Sequence, residues 1–393
     1  MHLERPTYLG TTTFRRDHIR FGIRQSDKLL HSVVIGATGV GKSSLLRQMV
    51  RQELYGWTLL DPHGDLADQL RQDLGPRAIY WNPADPDCPY GYNPLRRVRT
   101  DKIPLAASGL MEAFKKLWGD AWGIRMEHIL RNCLYALLER DGSTLPDILK
   151  LGRDAAFRRE VAAQIKNPIV RTFWQKEFPS LPPRYAAEAF APIQSRLGAC
   201  LSDPTLYRTL VSPKEPLSFR QIMDGGQTLI VNLSRGVLGS DSSETLGSLL
   251  IATLGLAAMS RLEVPEADRV QHQVYVDEFH TFTTAAFANM LTELRKAKVG
   301  MTLASQSLTG VLPEVRHAIL ANVGTLICFR VGVEDAALFA KELAPAFEPL
   351  DLISLPNHHF YIRLMIDGVP SGAFSAELMS SRQDRDNSRH CAY

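Results

Sequence analysis

Cysteine is scarce: five residues in 393, at positions 88, 133, 200, 328 and 391, an odd count with no two close together. That spacing offers neither a disulfide framework nor a C-x-x-C metal site, and it suits a reducing compartment. Long apolar runs are missing as well. The most apolar stretch, Leu249–Met259, is shorter than the roughly 20 residues of a membrane span and reads as a buried helix. Residues 1–18 lack the apolar core of a secretory leader. The expectation is a soluble, cytoplasmic protein, held at the inner membrane only through a partner. Charge of one sign is also lacking: 45 Lys and Arg against 42 Asp and Glu leave a formal +3. Bulk electrostatics therefore do not advertise nucleic acid, and such a partner has to be argued from local patches. Gly (27) and Pro (23) are near average, which excludes collagen-like and low-complexity chains. What is present is ordinary globular composition, 45% hydrophobic and 22% charged, enough to bury a core. The length suits two or three domains, or one large α/β domain with an insertion.

Along the chain, apolar runs and helical periodicities alternate. His18–Arg24 alternates as a half-buried strand of a short N-terminal β appendage, residues 1–30. His31–Ile35 is a buried parallel strand; helix follows over Lys42–Leu54, strand over Trp57–Asp61, helix over 65–74 with Asp65 as its N-cap, and strand over Ala78–Trp81. Between 102 and 220 only helical patterns appear: Leu105–Trp118, Arg125–Arg140, Ala155–Lys166 and Ala186–Leu201. This reads as an inserted all-α domain. Strands return at Thr228–Leu233, Val274–Asp277, Gly300–Ala304 and Thr325–Arg330, separated by helices, the first a long one over Ser243–Arg261. The predicted fold class is α/β: a doubly wound, mostly parallel sheet over 31–101 and 221–380, interrupted by the α domain and closed by a polar tail, 381–393.

The run GATGVGKS at 36–43 fits G-x-x-x-x-G-K-[ST] in full, after a strand and at the start of a helix. Gly36, Gly39 and Gly41 permit the backbone angles that turn N–H groups toward phosphate oxygens, and the helix start adds partial positive charge. The binding loop is Gly36, Thr38, Gly39, Val40, Gly41, Lys42, Ser43 and Ser44. Lys42 is expected to reach the β- and γ-phosphates of ATP, with the Ser43 hydroxyl on Mg²⁺. HQVYVDEF at 272–279 supplies two adjacent acids at a strand end: Asp277 for the Mg²⁺ shell and Glu278 as general base for the attacking water. A carboxylate directly after the Mg²⁺ acid favours ATP hydrolysis over a GTP switch, and no N-K-x-D string is present to read guanine.

Other polar residues have two readings each. Gln306 in TLASQSLTG ends the neighbouring strand, where it senses the γ-phosphate or simply bonds within its turn. Arg295, ending the helix in TELRKAKVG, is either a finger reaching a neighbour's γ-phosphate or a basic helix terminus. Arg330 poses the same choice. Asp61 and His63 in DPHGD face the nucleotide or a subunit interface. The basic runs 15–24 and 96–102 are either solvated faces or nucleic-acid contacts, and Trp118, Trp122, Phe173 and Trp174 fit helix core better than a base-stacking platform.

Taken in order, LLDPHGDL, the run WNPAD to YGYNPL, VDEFHTF, ELRKAKVG, ASQS and NVGTLICFRVGVEDA resemble the TraG/TraD-type coupling ATPases of conjugation and type IV secretion, within the HerA–FtsK superfamily. The resemblance runs from about residue 8 to about residue 378. It implies a RecA-like core, an inserted all-α domain linked to substrate recognition, and a ring of six subunits that moves DNA by ATP hydrolysis. Carried over by motif, Lys42 and Ser43 are the P-loop pair, Asp277 and Glu278 the Mg²⁺ acid and catalytic base, Gln306 the sensor, Arg295 the finger in trans and Arg330 a second interface arginine. A relaxase, a secretion channel or a nuclease is the partner class implied. Membrane-anchored coupling proteins begin with transmembrane helices, and the absence of such a segment here favours a soluble motor. Two other readings stand beside it: an ATPase of the same superfamily acting on protein, and a nucleotide-gated scaffold ring.

Overall fold

The computed structural model describes residues 5–13 and 18–379, the side chains of 120 and 285–289 excepted. The expected frayed tail, 381–393, and the start of the basic run 15–24 lie outside the described residues. Two compact units emerge: one of residues 1–80, 220–232 and 258–393, the other of 81–219 and 233–257.

The first unit carries an eleven-stranded sheet. Its strands are β1 (Thr7–Thr12), β2 (Arg20–Ile23), β3 (Ser32–Ile35), β4 (Gly56–Asp61), β5 (Ile79–Trp81), β6 (Leu229–Asn232), β7 (His272–Val276), β8 (Val299–Ser305), β9 (Thr325–Cys328), β10 (His359–Arg363) and β11 (Phe374–Glu377). They lie in the order β2-β1-β11-β10-β9-β3-β8-β7-β4-β6-β5. From β9 to β6 every pairing is parallel. The sequence explains why: β3, β4, β8 and β9 are buried along their whole length, as strands covered on both faces have to be. By contrast β10, HFYIR, buries alternate residues, and from there to β2 the pairing is antiparallel. The N-terminal strands expected as an appendage are thus the outer edge of this one sheet, joined through Thr11 opposite Glu377.

Register fixes the core. Val34 lies between Ala304 and Ile327 and packs with Leu45, Leu46 and Met49 of α1 (Lys42–Val50) and Leu66 and Leu70 of α2 (Asp65–Leu74). Helices α3 (Ala285–Leu294), α4 (Pro313–Asn322) and α5 (Val333–Glu342) complete the alternation. Because β8 and β7 lie between β3 and β4, the C-terminal ends of β3, β8, β7 and β4 come side by side, where an open α/β sheet binds its ligands.

The second unit is helical apart from a two-residue ladder of Tyr90–Gly91 with Glu215–Pro216. Its helices include Ile103–Trp118, Ile124–Glu139, Leu145–Arg153, Ala155–Gln164 and Pro183–Ser202. Trp118, Phe173 and Trp174 are core and Trp122 is half-buried: Trp174 donates its indole N–H to the Asn132 carbonyl at 3.2 Å, and Phe114 stacks on Trp118 with centroids 4.7 Å apart. The basic run 96–102 is partly neutralised, Arg97 by Asp141 and Arg99 by Asp101. The apolar stretch Leu249–Met259 lies within the long helix expected over Ser243–Arg261, which runs Ser240–Ser260. With its last turn to Glu263 it is, by length and composition, long enough to cross a membrane, and 61% of its most apolar window is buried.

Candidate nucleotide site

The loop leaving β3 is held on three sides by main-chain bonds. Gly36 N–H donates to Ser305 O at 3.2 Å, Ala37 N–H to Arg330 O at 2.8 Å, and Val40 O accepts His358 N–H at 2.8 Å. Gly39 and Gly41 stand at φ +77° and +122°, conformations that a side chain would strain. A Cβ on Gly36 would lie 2.6 Å from Phe329 Cβ, so close packing excludes any larger residue there. Val40 is pinned in the core, whereas Thr38, Gly39, Ser43 and Ser44 face solvent. Lys42 opens α1 and is buried; its ammonium donates to the carbonyls of Gly36 at 2.7 Å and Ala37 at 3.0 Å. Burial lowers its pKa, and the charges of Glu278 and Asp277 work against that shift. Lysine and acids thus share one electrostatic environment.

Strand β7 ends at Val276, one residue sooner than the apolar run predicts, because Asp277 begins a turn. Asp277 N–H still donates to Leu60 O at 3.0 Å, so the acids leave the sheet alongside β4. Both carboxylates are 3% exposed. Burial, then Asp61 and Glu278 as like charges, push the Asp277 carboxyl up to about 7, against the pull of Lys42. Glu278 sits at φ +45°, left-handed for a residue with a side chain, a local strain of the kind that collects at working sites.

Asp61 lies here too, fully buried, and explains a correction. Asp65 is not the N-cap of α2 but its first residue; Gly64, at φ +88°, holds the cap position. The capping is done from four residues upstream. Asp61 accepts the N–H of His63 and of Ala67, each at 2.9 Å. Each Asp61 oxygen thus accepts an N–H of the turn or helix, while its charge is felt by Asp277.

Gln306 arrives through its backbone: its N–H donates to Glu278 Oε2 at 3.2 Å, and its side chain is exposed. Arg330 stands next to the loop of its own chain, and its guanidinium binds Leu355 O at 3.1 Å and Asn357 Oδ1 at 2.9 Å. Arg295 is not brought to this site. It is exposed; burial holds His31 down to about 4, and the Arg295 charge adds to that. His31 precedes β3, while the phosphate loop follows it, so Arg295 belongs to the opposite edge of the sheet, about 15 Å away along the strand.

Sequence reasoning missed two parts of the arrangement. His280 Nδ1 lies 2.9 Å from Ser305 Oγ and 3.4 Å from Glu278 Oε2, beside His63, which the sequence does single out and whose Nε2 lies 3.9 Å from Glu278 Oε1. His358 and Asn357 brace the loop from the far side. For His280 a signal was present in VDEFHTF, a polar residue two places after the base.

The Asp277 shift has a measurable consequence. A carboxyl whose folded pKa is raised binds its proton more tightly when folded, so its contribution to stability falls as pH rises from about 4 to about 7. The Asp277→Asn protein should lack that contribution. Comparing urea midpoints across this range, wild type should lose about 2–4 kcal/mol relative to the variant; parallel curves would contradict the burial of this charge.

The strand order, the glycine loop between β3 and α1, and the acid pair after β7 together define a RecA-like P-loop fold with a helical insertion. A family model for the type IV secretion-system coupling protein DNA-binding domain matches residues 20–343, and the chain belongs to that family. Among solved structures, the bacterial conjugative coupling protein TrwBΔN70 superposes with a TM-score of 0.66 at 18% identity, covering 91% of this chain and 87% of that one. VirB4 of Thermoanaerobacter pseudethanolicus superposes with a TM-score of 0.66 at 14% identity, over 97% and 98% of the two chains. TrwB has also been solved with the ATP analogue ADPNP, matching at a TM-score of 0.64, 18% identity and 90% and 86% coverage. At these identities the likeness is one of fold. No curated protein sequence matches the chain.

Proposed function

We propose that this chain is an ATP-hydrolysing motor that translocates DNA as a ring of six subunits. The observation that carries the proposal is the meeting of Lys42, Asp277 and Glu278 at the ends of β3 and β7, in a chain of the coupling-protein family. TrwB structures with ADPNP and with ADP and Mg²⁺ support the same ligands here.

The residues fit a magnesium nucleotide. A buried carboxyl held near neutrality by its acidic neighbours gains a counter-charge when a cation arrives, and Asp277, with the exposed Ser43 hydroxyl, would hold the ion. When bound, Mg²⁺ neutralises charge that builds on the phosphate oxygens. The N–H groups of the 36–44 loop and the start of α1 hold the phosphates. Lys42, whose ammonium donates to two carbonyls of the loop, would donate to phosphate oxygens in their place. Glu278 takes the proton of the attacking water at its carboxylate, and the Gln306 segment places that carboxylate. Gln306's exposed side chain is then the sensor. Arg295, at the far edge of the sheet, serves as finger to the next copy, and Arg330 braces the loop from within. The chain acts in the cytoplasm, brought to the inner membrane by a secretion-channel or relaxase partner.

Steady-state ATP hydrolysis should rise tenfold or more with single- or double-stranded DNA, and the stimulation should weaken from 50 to 200 mM salt as phosphate contacts are screened. A flat response in protein that still binds ATP would overturn DNA as the substrate and favour a protein-directed or scaffolding ring.

A further inference from the structure

The hydroxyl of Ser305 donates to Ser307 O at 3.0 Å. A hydroxyl has one proton, so the 2.9 Å contact between Ser305 Oγ and His280 Nδ1 is donated by the histidine. Nδ1 therefore carries a proton, and the same nitrogen lies 3.4 Å from Glu278 Oε2. That oxygen also accepts the Gln306 N–H. The two carboxylate oxygens are thus unlike: Oε2 lies beside two nitrogens, from the end of β8 and from the 279–281 turn, while Oε1 lies 3.9 Å from His63 Nε2. Glu278 itself occupies a left-handed backbone conformation, of the kind that persists only where the surrounding structure holds it.

We propose that His280 is a positioning residue for hydrolysis: donating from Nδ1, it ties the carboxylate of Glu278 to Ser305 at the end of β8 and leaves Oε1 to take the proton of the attacking water. The assignment rests on Glu278 being the base. It gives the turn after the acids a task that neither acid performs, since a carboxylate in the wrong rotamer is a poor base at any pKa. It also makes the base answer to the strand end that carries the sensor residue, because Ser305 and Gln306 hold it jointly.

The test uses the full chain with ATP, Mg²⁺ and saturating DNA. His280→Ala should lower kcat about tenfold, the worth of one hydrogen bond to a charged group, with the KM for ATP and the Kd of a fluorescent ADP analogue unchanged within twofold. His280→Asn, whose side-chain amide can donate from nearly the same place, should recover most of the loss. Ser305→Ala should cost less, and in the His280→Ala background should add nothing, as members of one network do. Unchanged kcat in His280→Ala, or parallel loss of kcat, nucleotide affinity and melting temperature without rescue by asparagine, would overturn the assignment. Glu278→Gln is the parallel control: if it hydrolyses normally, the base reading falls and His280 falls with it, whereas an inactive Glu278→Gln beside an unaffected His280→Ala removes His280 alone.

Discussion

Lys42→Ala is expected to lose ATP turnover by at least about 10²-fold, with nucleotide affinity falling alongside. The reason lies in where the ammonium sits. It is buried at the root of α1, already folded over two carbonyls of its own loop, and it is a counter-charge to Asp277 and Glu278. Its removal takes away the donor to the phosphates and leaves the buried acids facing a polyanion with less to offset them. Circular dichroism should show the fold retained, and normal turnover would remove the phosphate-loop assignment. The same variant probes the arginine. Lys42→Ala subunits mixed with Arg295→Ala subunits should regain part of the activity that each lacks alone, because one still offers the finger and the other an intact loop. No recovery at any ratio would place Arg295 outside the reaction.

Glu278→Gln is expected to bind ATP as the parent does while kcat falls about 10²- to 10⁴-fold. The amide keeps the shape and still offers an oxygen to the Gln306 N–H, so the strand end should remain in register; what it loses is the ability to hold a proton. Separate binding and single-turnover measurements would distinguish this from a defect in nucleotide capture. Hydrolysis near the parent rate would mean that another group takes the proton.

The sheet's core and the phosphate loop were legible because their signals are local and strong. VVI before a glycine loop, a full G-x-x-x-x-G-K-S, and the apolar run Val274–Val276 leading into two acids each state their own structure. What the sequence could not show is pairing between distant segments. The N-terminal segment looks like a separate appendage until Phe374–Glu377 is set beside Thr7–Thr12. The cap of α2 was sought at Asp65, the residue adjacent to the helix, and found at Asp61, whose reach depends on Gly64 turning the chain. Ser305, Asn357 and His358 belong to the site's surroundings through folding alone. Arg330 illustrates the same limit: its position at a strand end does not reveal that its guanidinium is bound by residues 25 and 27 places downstream.

The three main-chain ties on the 36–40 segment have a further consequence. A loop that is already shaped, and whose lysine already rests on its own carbonyls, does not have to be ordered when nucleotide enters. The entropy of arranging it has been spent in folding, so arrival and departure of the ligand register little change there. The loop is an anvil rather than a hinge. Whatever news of the ligand travels through this molecule must therefore start from its less constrained neighbours, the turn that carries Glu278 and the segment that follows Ser305.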